Sequence, residues 1–226
     1  MIWTANDEKQ KHRLESIADE DMLQFMKKTS EEFTRLMSYY HCAMMEIETK
    51  FKVLDVEYSL KHDYKPISSI KTRLKEPLSI KNKLDKKGTS LTIQALNELH
   101  DIAGVRVICS FPEDVYKIAD AFLKQDDIRL IEKKDYIKNP KPNGYRSLHL
   151  IVEIPIFLSN EKKMMKVEIQ IRTIAMDFWA SLEHQMRYKK DVEYTDEMAA
   201  ELTECAKQSA ELDLRMDALR RRSQRR

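Results

Sequence analysis

The sequence predicts an α+β fold: a mixed β-sheet with helices packed on it and helical extensions at both ends. Three observations carry this expectation. Between residues 33 and 58 apolar side chains recur at steps of four and three. Between residues 102 and 172 β-branched runs and period-two alternation take over. From residue 198 to 219 the helical period returns.

The elements follow in order. Thr29-Ser30-Glu31-Glu32 has the form of a capping box. Behind it Phe33, Met37, Tyr40, Met44, Ile47, Phe51, Leu54 and Tyr58 form one stripe on a helix of about eight turns, read as core. Residues 6–28 are read as a further helix. Pro66 and Pro77 bracket a linker containing Arg73-Leu74-Lys75. A short helix then carries Ser79, Lys81 and Lys83; Gly88 ends it, and another helix covers residues 91–99. Residues 102–109 read as a buried strand, and Pro112 opens a helix to about residue 124. A strand near 128–133, a turn at Asn143-Gly144, a strand to residue 156 and a last strand over 164–172 complete the sheet. A helix spans 173–188, where Phe178 and Trp179 are expected to pack against the sheet. Met198, Leu202, Cys205, Ser209, Leu212, Met216 and Leu219 then form a heptad seam, suited to its own domain or to a second subunit, ahead of an arginine-rich tail.

Composition narrows the class. A chain of 226 residues, 42% hydrophobic and 35% charged, suits one soluble domain with helical additions. Its net charge of +2 gives no global field directed at nucleic acid. Cys42, Cys109 and Cys205 are odd in number and far apart, which argues against a disulfide framework and a cysteine-based zinc site. His41, Cys42, His62 and His184 have no ligand-like spacing either. No leader-like or membrane-length apolar run is present in the sequence, so a reducing cytoplasm is the expected compartment.

The segment 139–149 is the most informative. It holds one of three glycines, and after the Asn-Gly turn Tyr145, Ser147 and His149 fall on one face of an expected strand, with Leu148, Leu150 and Val152 on the other. That face suits a base and its phosphates. Asp101 stands at the mouth of one strand and Glu168 on the polar face of another. Brought together, two such acids can hold Mg²⁺ with coordination places left for phosphate and water. Strict alternation sets Asp101 opposite Arg106, so the two share a site only if Asp101 lies outside the strand or Gly104 forms a bulge. Arg106, between Val105 and Val107, needs a partner and can both stack on a purine and fork onto phosphate. Arg73, Lys75, Lys83, Lys141, Arg146 and Arg172 add a basic set, and the helix turn at Ser79 could bind phosphate.

Five blocks resemble the synthetase domain of the Rel/SpoT-type alarmone synthetases. They are Arg73-x-Lys75 with Ser79 and Lys83; residues 100–106; 135–137; 140–149; and 168–173. They occur in the family's order, and the short length with helical flanks looks like the small, single-domain members. The resemblance implies a nucleotidyltransferase-like fold in a domain over 65–190, with a helical extension over 1–64 and a C-terminal helix with basic tail over 191–226. It implies Mg²⁺-dependent transfer of the β,γ-pyrophosphate of ATP to the 3′-hydroxyl of GDP or GTP, giving ppGpp or pppGpp and AMP in the bacterial stringent response. His62-Asp63 and His100-Asp101 are isolated, so the family's hydrolase activity is not expected.

Position by position, the resemblance makes Asp101 and Glu168 the metal ligands, with Glu168 also general base. Arg73 and Arg106 would sandwich adenine, and Lys75, Ser79 and Lys83 would hold the phosphates of ATP. Tyr145 would stack on guanine, with Lys141, Asn143 and His149 on the acceptor nucleotide and Arg172 on phosphate. A homotetramer is the family's common assembly, and the tail leaves RNA open as a partner. Two other readings of the residues stay in view: a non-catalytic nucleotide- or RNA-binding module, and a nucleotidyltransferase of another kind.

Overall fold

The computed structural model describes residues 5–61, 64–187 and 194–223. The order is α1 (Ala5–Lys61), β1 (Ile67–Leu74), α2 (Pro77–Lys86), α3 (Ile93–Glu98), β2 (Ala103–Cys109), α4 (Pro112–Leu123), β3 (Arg129–Asp135), β4 (Leu148–Phe157), β5 (Lys162–Thr173), α5 (Ile174–Arg187) and α6 (Asp196–Ser223).

The first helix is one continuous element, so the capping-box form at residue 29 does not begin it. No glycine or proline lies between residues 5 and 61 to break it. Packing also crosses the expected boundary, with the rings of Phe25 and Phe33 edge to face at 5.9 Å.

The stretch read as a linker is strand β1. It pairs antiparallel with β2 from Ile67↔Cys109 to Leu74↔Ala103, with an irregularity between Ile67 and Ser69. It is an edge strand whose side chains, Ile67 apart, are half-buried or exposed. An edge that shows most of itself to water has little apolar alternation to read.

The sheet runs β1-β2-β5-β4-β3. β2 and β5 pair parallel, from Gly104↔Glu168 to Cys109↔Thr173, and the other pairings are antiparallel. Period-two alternation gives this sheet two unlike faces. On one, Val105, Val107, Leu148, Leu150, Val152, Val167, Ile169 and Ile171 are buried in a single core with Tyr40, Ile47 and Phe51 of α1 and Val115, Ile118 and Phe122 of α4. Phe51 and Phe122 stack at 4.5 Å. The α1 stripe is therefore part of the sheet's own core rather than an appendage to it. On the other face Gly104, Arg106, His149, Glu168 and Gln170 are only half-buried.

Helices α5 and α6 form a second, smaller packing unit. Trp179 and Ala180 meet Ala206 and Leu202, and the indole N–H of Trp179 donates to the Leu202 carbonyl at 2.8 Å. Trp179 thus packs on α6 rather than on the sheet, and Phe178 is exposed. The inward face of α6 takes only part of the expected seam: Leu202 packs on Trp179, and Ser209 donates to the Ala175 carbonyl at 3.2 Å. Ala206, Asp213 and Asp217 are buried, while Cys205, Leu212, Met216 and Leu219 are exposed. Asp213 accepts a hydrogen bond from Thr173 Oγ1 at 2.6 Å. Arg220, read as the start of the arginine-rich tail, donates to Asp217 and Glu113 and lies 4.7 Å from the Phe111 ring centre. Beyond Leu202 and Ala206, α6 docks through polar and charged side chains, which a reading of apolar period cannot detect. Residues 62–63 and 224–226 of the other sequence readings lie outside the described residues.

The Asn-Gly turn is anchored by this unit. Gly144 has φ +87°, and a Cβ added there would overlap the Ala206 methyl. Gly144→Ala is expected to lower stability by about 2 kcal/mol, from strain at positive φ plus the clash. Urea denaturation checks this; an unchanged midpoint would contradict the contact between turn and helix.

Candidate active site

The half-buried face of the sheet is organised in two rows set by strand register. One row runs Lys71, Arg106, Gln170, His149 and Lys134 across β1, β2, β5, β4 and β3. The next runs Arg73, Gly104, Glu168, Ile151 and Glu132. Gly104 contributes no side chain, so the second row has a hollow between Arg73 and Glu168. Asp101 lies two residues before β2 begins, outside the regular alternation. It thereby reaches the same side as Arg106, and the register through Gly104 carries no bulge. A cleft of about 580 Å³ opens here, lined by Arg73, Lys75, Asp101, Arg106, Tyr145, Glu168 and Arg172 among others.

Asp101 is held by two ammonium groups. Lys75 Nζ is 2.9 Å from its Oδ2, and Lys83 Nζ is 2.6 Å from its Oδ1. Burial works to raise this carboxyl, but the two lysines outweigh it and keep it below the usual aspartate range. The buried Oδ1 has no well-formed hydrogen bond, only the charge of Lys83. Glu168 follows the same pattern. Burial raises it, and the imidazole of His149, with help from the Gln170 amide, holds it below the usual glutamate range against the push of Asp101. Both acids are anions at neutral pH, facing one space.

A third carboxylate lies deeper. Asp177, at the start of α5 and 9% exposed, takes Arg106 Nη1 at 3.2 Å and Arg172 Nη1 at 3.3 Å on Oδ1, and Lys71 Nζ at 3.3 Å on Oδ2. Cations from three strands meet on one carboxylate. Burial and the charge of Arg172 lower the Arg106 pKa from its ordinary value, and Asp177 opposes both. Arg106 Nε is buried without a hydrogen-bond partner.

The aromatic side is built on the turn. Tyr145 N donates to Asn143 Oδ1 at 3.2 Å, and Asn143 Nδ2 donates to Glu183 at 3.3 Å. Lys141 Nζ sits 4.9 Å from the Tyr145 ring centre, and the Tyr145 hydroxyl is 2.8 Å from His149 Nε2. Tyr136 meets both rings edge-on, at 6.1 and 5.2 Å.

Most of the expected set therefore converges, with three corrections. The strand begins at Leu148, so Tyr145 and Ser147 precede it. Ser147 is 0% exposed, donates to the Ile171 carbonyl at 3.4 Å, accepts from Arg172 Nε at 3.4 Å and does not line the cleft. Arg172, expected on phosphate, is 4% exposed, with its guanidinium committed to Tyr145, Gln170 and Asp177. Ser79, in the first turn of α2, is not among the residues lining the cleft; Lys83, Lys141, Asn143 and His149 do not line it either, but they touch it through Asp101 and Tyr145. Sequence reasoning missed Lys71, Gln170 and Asp177. Lys71 was hidden in the unrecognised strand, and Gln170 was visible as the polar neighbour of Glu168 at period two. Asp177 carried a faint signal as an acid in the first turn of a helix.

Residues 72–193 match a family model described as a region found in RelA / SpoT proteins. The GTP pyrophosphokinase YwaC of Bacillus subtilis (strain 168) is 45% identical over 192 residues, covering 84% of this chain and 91% of that protein. The GTP pyrophosphokinase YjbM of the same organism is 32% identical over 189 residues, 84% and 89% of the two chains. Among solved structures, small alarmone synthetase 2 from Bacillus subtilis superposes with a TM-score of 0.77 at 43% identity, covering 85% of this chain and all of the other. Small alarmone synthetase 1 from that organism, bound to its product pppGpp, gives 0.77 at 31% identity, with 84% and 97% covered.

Asp177→Asn keeps the shape of the three-cation hub and removes its charge, leaving the buried Arg172 under-compensated. The expected loss of stability is on the order of 3 kcal/mol, mostly from Arg172, since the exposed Lys71 contributes little. A urea midpoint equal to that of the unsubstituted protein would contradict the hub.

Proposed function

Because this chain belongs to the RelA/SpoT family, we propose that it is a GTP pyrophosphokinase. It moves the β,γ-pyrophosphate of ATP to the 3′-hydroxyl of GDP or GTP, and the products are AMP with ppGpp or pppGpp, the nucleotides of the stringent response. One observation carries the site-level reading: Asp101 and Glu168, 67 positions apart in the chain, line the same cleft beside Arg73, Arg106 and Tyr145.

The roles follow from chemistry. Arg73 and Arg106 offer guanidinium faces to adenine, with Arg106 held at its edge by Asp177 so that its plane is fixed. Lys75 and Lys83, which pair with Asp101 here, are the ammonium groups for the donor's phosphates, with Ser79 on the helix turn behind them. Tyr145 is the platform for guanine; Lys141, Asn143 and His149 surround it. Glu168, anionic and half-buried, is the group that takes the 3′-hydroxyl proton as that oxygen attacks. Arg172 acts beneath the site through Tyr145 rather than on phosphate.

The donor set fits Mg²⁺. It consists of carboxylate oxygens, with Asp101 Oδ1 lacking a well-formed hydrogen bond, and two protein ligands leave places for water and phosphate. Bound between Asp101 and Glu168, the ion would neutralise and polarise the oxygens of the transferred group. Among the described residues no group of three His, Cys, Asp or Glu is placed to hold a metal. The ion's remaining ligands would thus come from nucleotide and water.

The reading extends to a homotetramer acting in the cytoplasm. Supporting the assembly are the exposed apolar residues Val53, Val56 and Leu60 on α1 and Leu212, Met216 and Leu219 on α6. No described helix is long and apolar enough to cross a membrane.

Incubation with ATP, Mg²⁺ and GDP is expected to give AMP and ppGpp. Release of inorganic pyrophosphate would indicate another transferase, and unchanged nucleotides a binding module. Glu168→Gln is expected to abolish transfer while nucleotide affinity, read by calorimetry, stays within a few-fold; near-normal turnover would remove Glu168 from the base position.

A further inference from the structure

The ring of Tyr145 has a role in the reading above, but its hydroxyl does not, and that hydroxyl is joined to the buried Arg172. A guanidinium only donates hydrogen bonds. Arg172 Nη2 lies 2.6 Å from the Tyr145 hydroxyl oxygen, so that oxygen is the acceptor. The phenolic proton then points to its other neighbour, His149 Nε2 at 2.8 Å. To accept it, Nε2 must be unprotonated, and a neutral ring carries its proton on Nδ1. Nδ1 is 3.4 Å from Glu168 Oε1. With the phenolic proton on that line, each later member of the series takes its direction from the one before.

A second arm leaves the same nitrogen. Arg172 Nη2 donates to Gln170 Oε1 at 2.8 Å, which obliges the Gln170 amide to present its NH₂ on the other side. That NH₂ donates to Glu168 Oε2 at 3.3 Å. The two carboxylate oxygens of Glu168 thus face separate arms: Oε2 accepts from Gln170, and Oε1 lies 3.4 Å from His149 Nδ1, a close approach rather than a formed hydrogen bond in the ligand-free protein. Both start at a guanidinium that is 4% exposed and fastened below by Asp177 at 3.3 Å.

We infer that Arg172, Gln170, the Tyr145 hydroxyl and His149 form a two-armed clamp that aims the Glu168 carboxylate at the acceptor's 3′-hydroxyl. This rests on the reading of Glu168 as the base. All four are positioning residues in this respect, since each acts on the reaction through Glu168. A carboxylate free to rotate presents its proton-accepting lone pair only part of the time, and one flanked by a donor at each oxygen is restrained from rotating. The clamp also explains why the guanine platform is a tyrosine. Phenylalanine would stack as well, but it cannot pass a proton donor on to His149.

Tyr145→Phe tests the clamp because it keeps the ring. The expected result is a fall in kcat on the order of 10-fold with the acceptor KM within about twofold, as for loss of a partner that orients a reacting group. Adding Gln170→Leu should lower kcat further, toward the level of Glu168→Gln. An unchanged kcat in Tyr145→Phe, or a loss confined to acceptor KM, would overturn the clamp while leaving the pyrophosphokinase reading intact. A second measurement needs no activity. In ¹⁵N NMR of the ligand-free protein, His149 should be the Nδ1–H tautomer, and Tyr145→Phe should lose that preference. An Nε2–H ring in the unsubstituted protein would overturn the clamp even if no synthetase activity were found.

Discussion

The parallel pairing of β2 with β5 is the constraint on which the site depends. It sets Gly104 opposite Glu168 and so carries Asp101, just ahead of β2, to the same opening. Between those strands the chain passes through α4, β3 and β4, so the two acids are distant in sequence yet neighbours in the sheet. A slip of one residue would turn Glu168 into the apolar core and Ile169 into the cleft. The pairing is secured by what lies behind it. Val105, Val107, Ile169 and Ile171 are buried against α1 and α4, and burial of such side chains is the largest favourable contribution available here. The long first helix therefore bears on function by fixing register.

Charge is managed on the same principle of fixed pairing. Lys71, Arg106 and Arg172 would repel one another across neighbouring strands without Asp177, and Lys75 and Lys83 would do so without Asp101. Each group of cations is thus kept close by one buried or half-buried carboxylate. A site for polyphosphate needs such a density of positive charge before the ligand arrives, and internal anions let it fold without the ligand. Glu168 is treated differently: its partners are a histidine and an amide, which steady a carboxylate without taking its proton-accepting role.

What the sequence made legible follows from which forces leave a periodic trace. The α1 stripe, the Val105–Val107 alternation, the Val167–Ile171 alternation and the positive φ at Gly144 were all readable, because burial and backbone sterics repeat at known spacing. The blocks carrying Asp101, Arg106, Tyr145 and Glu168 were readable through family resemblance. Strand β1 was not, since an exposed edge has no apolar face to declare itself. Most of the docking face of α6 was not, because it rests on Asp213, Asp217 and Arg220 rather than on leucines. The surroundings of Arg172 were hidden for a related reason. The family resemblance put Arg172 on phosphate, and only the positions of Asp177, Gln170 and Tyr145 show that its hydrogen bonds are already committed.

The central claim is that Asp101 and Glu168 serve one divalent cation at the β2–β5 opening. Electron paramagnetic resonance of Mn²⁺ in the complex with a non-hydrolysable ATP analogue tests this directly, using Asp101→Asn, Glu168→Gln and the double variant. The account predicts that each single variant weakens Mn²⁺ binding strongly and that the double variant is scarcely weaker than the worse single, because both changes strike the same ion. Mn²⁺ affinity that ignored either substitution, or fell by two independent and additive steps, would contradict it.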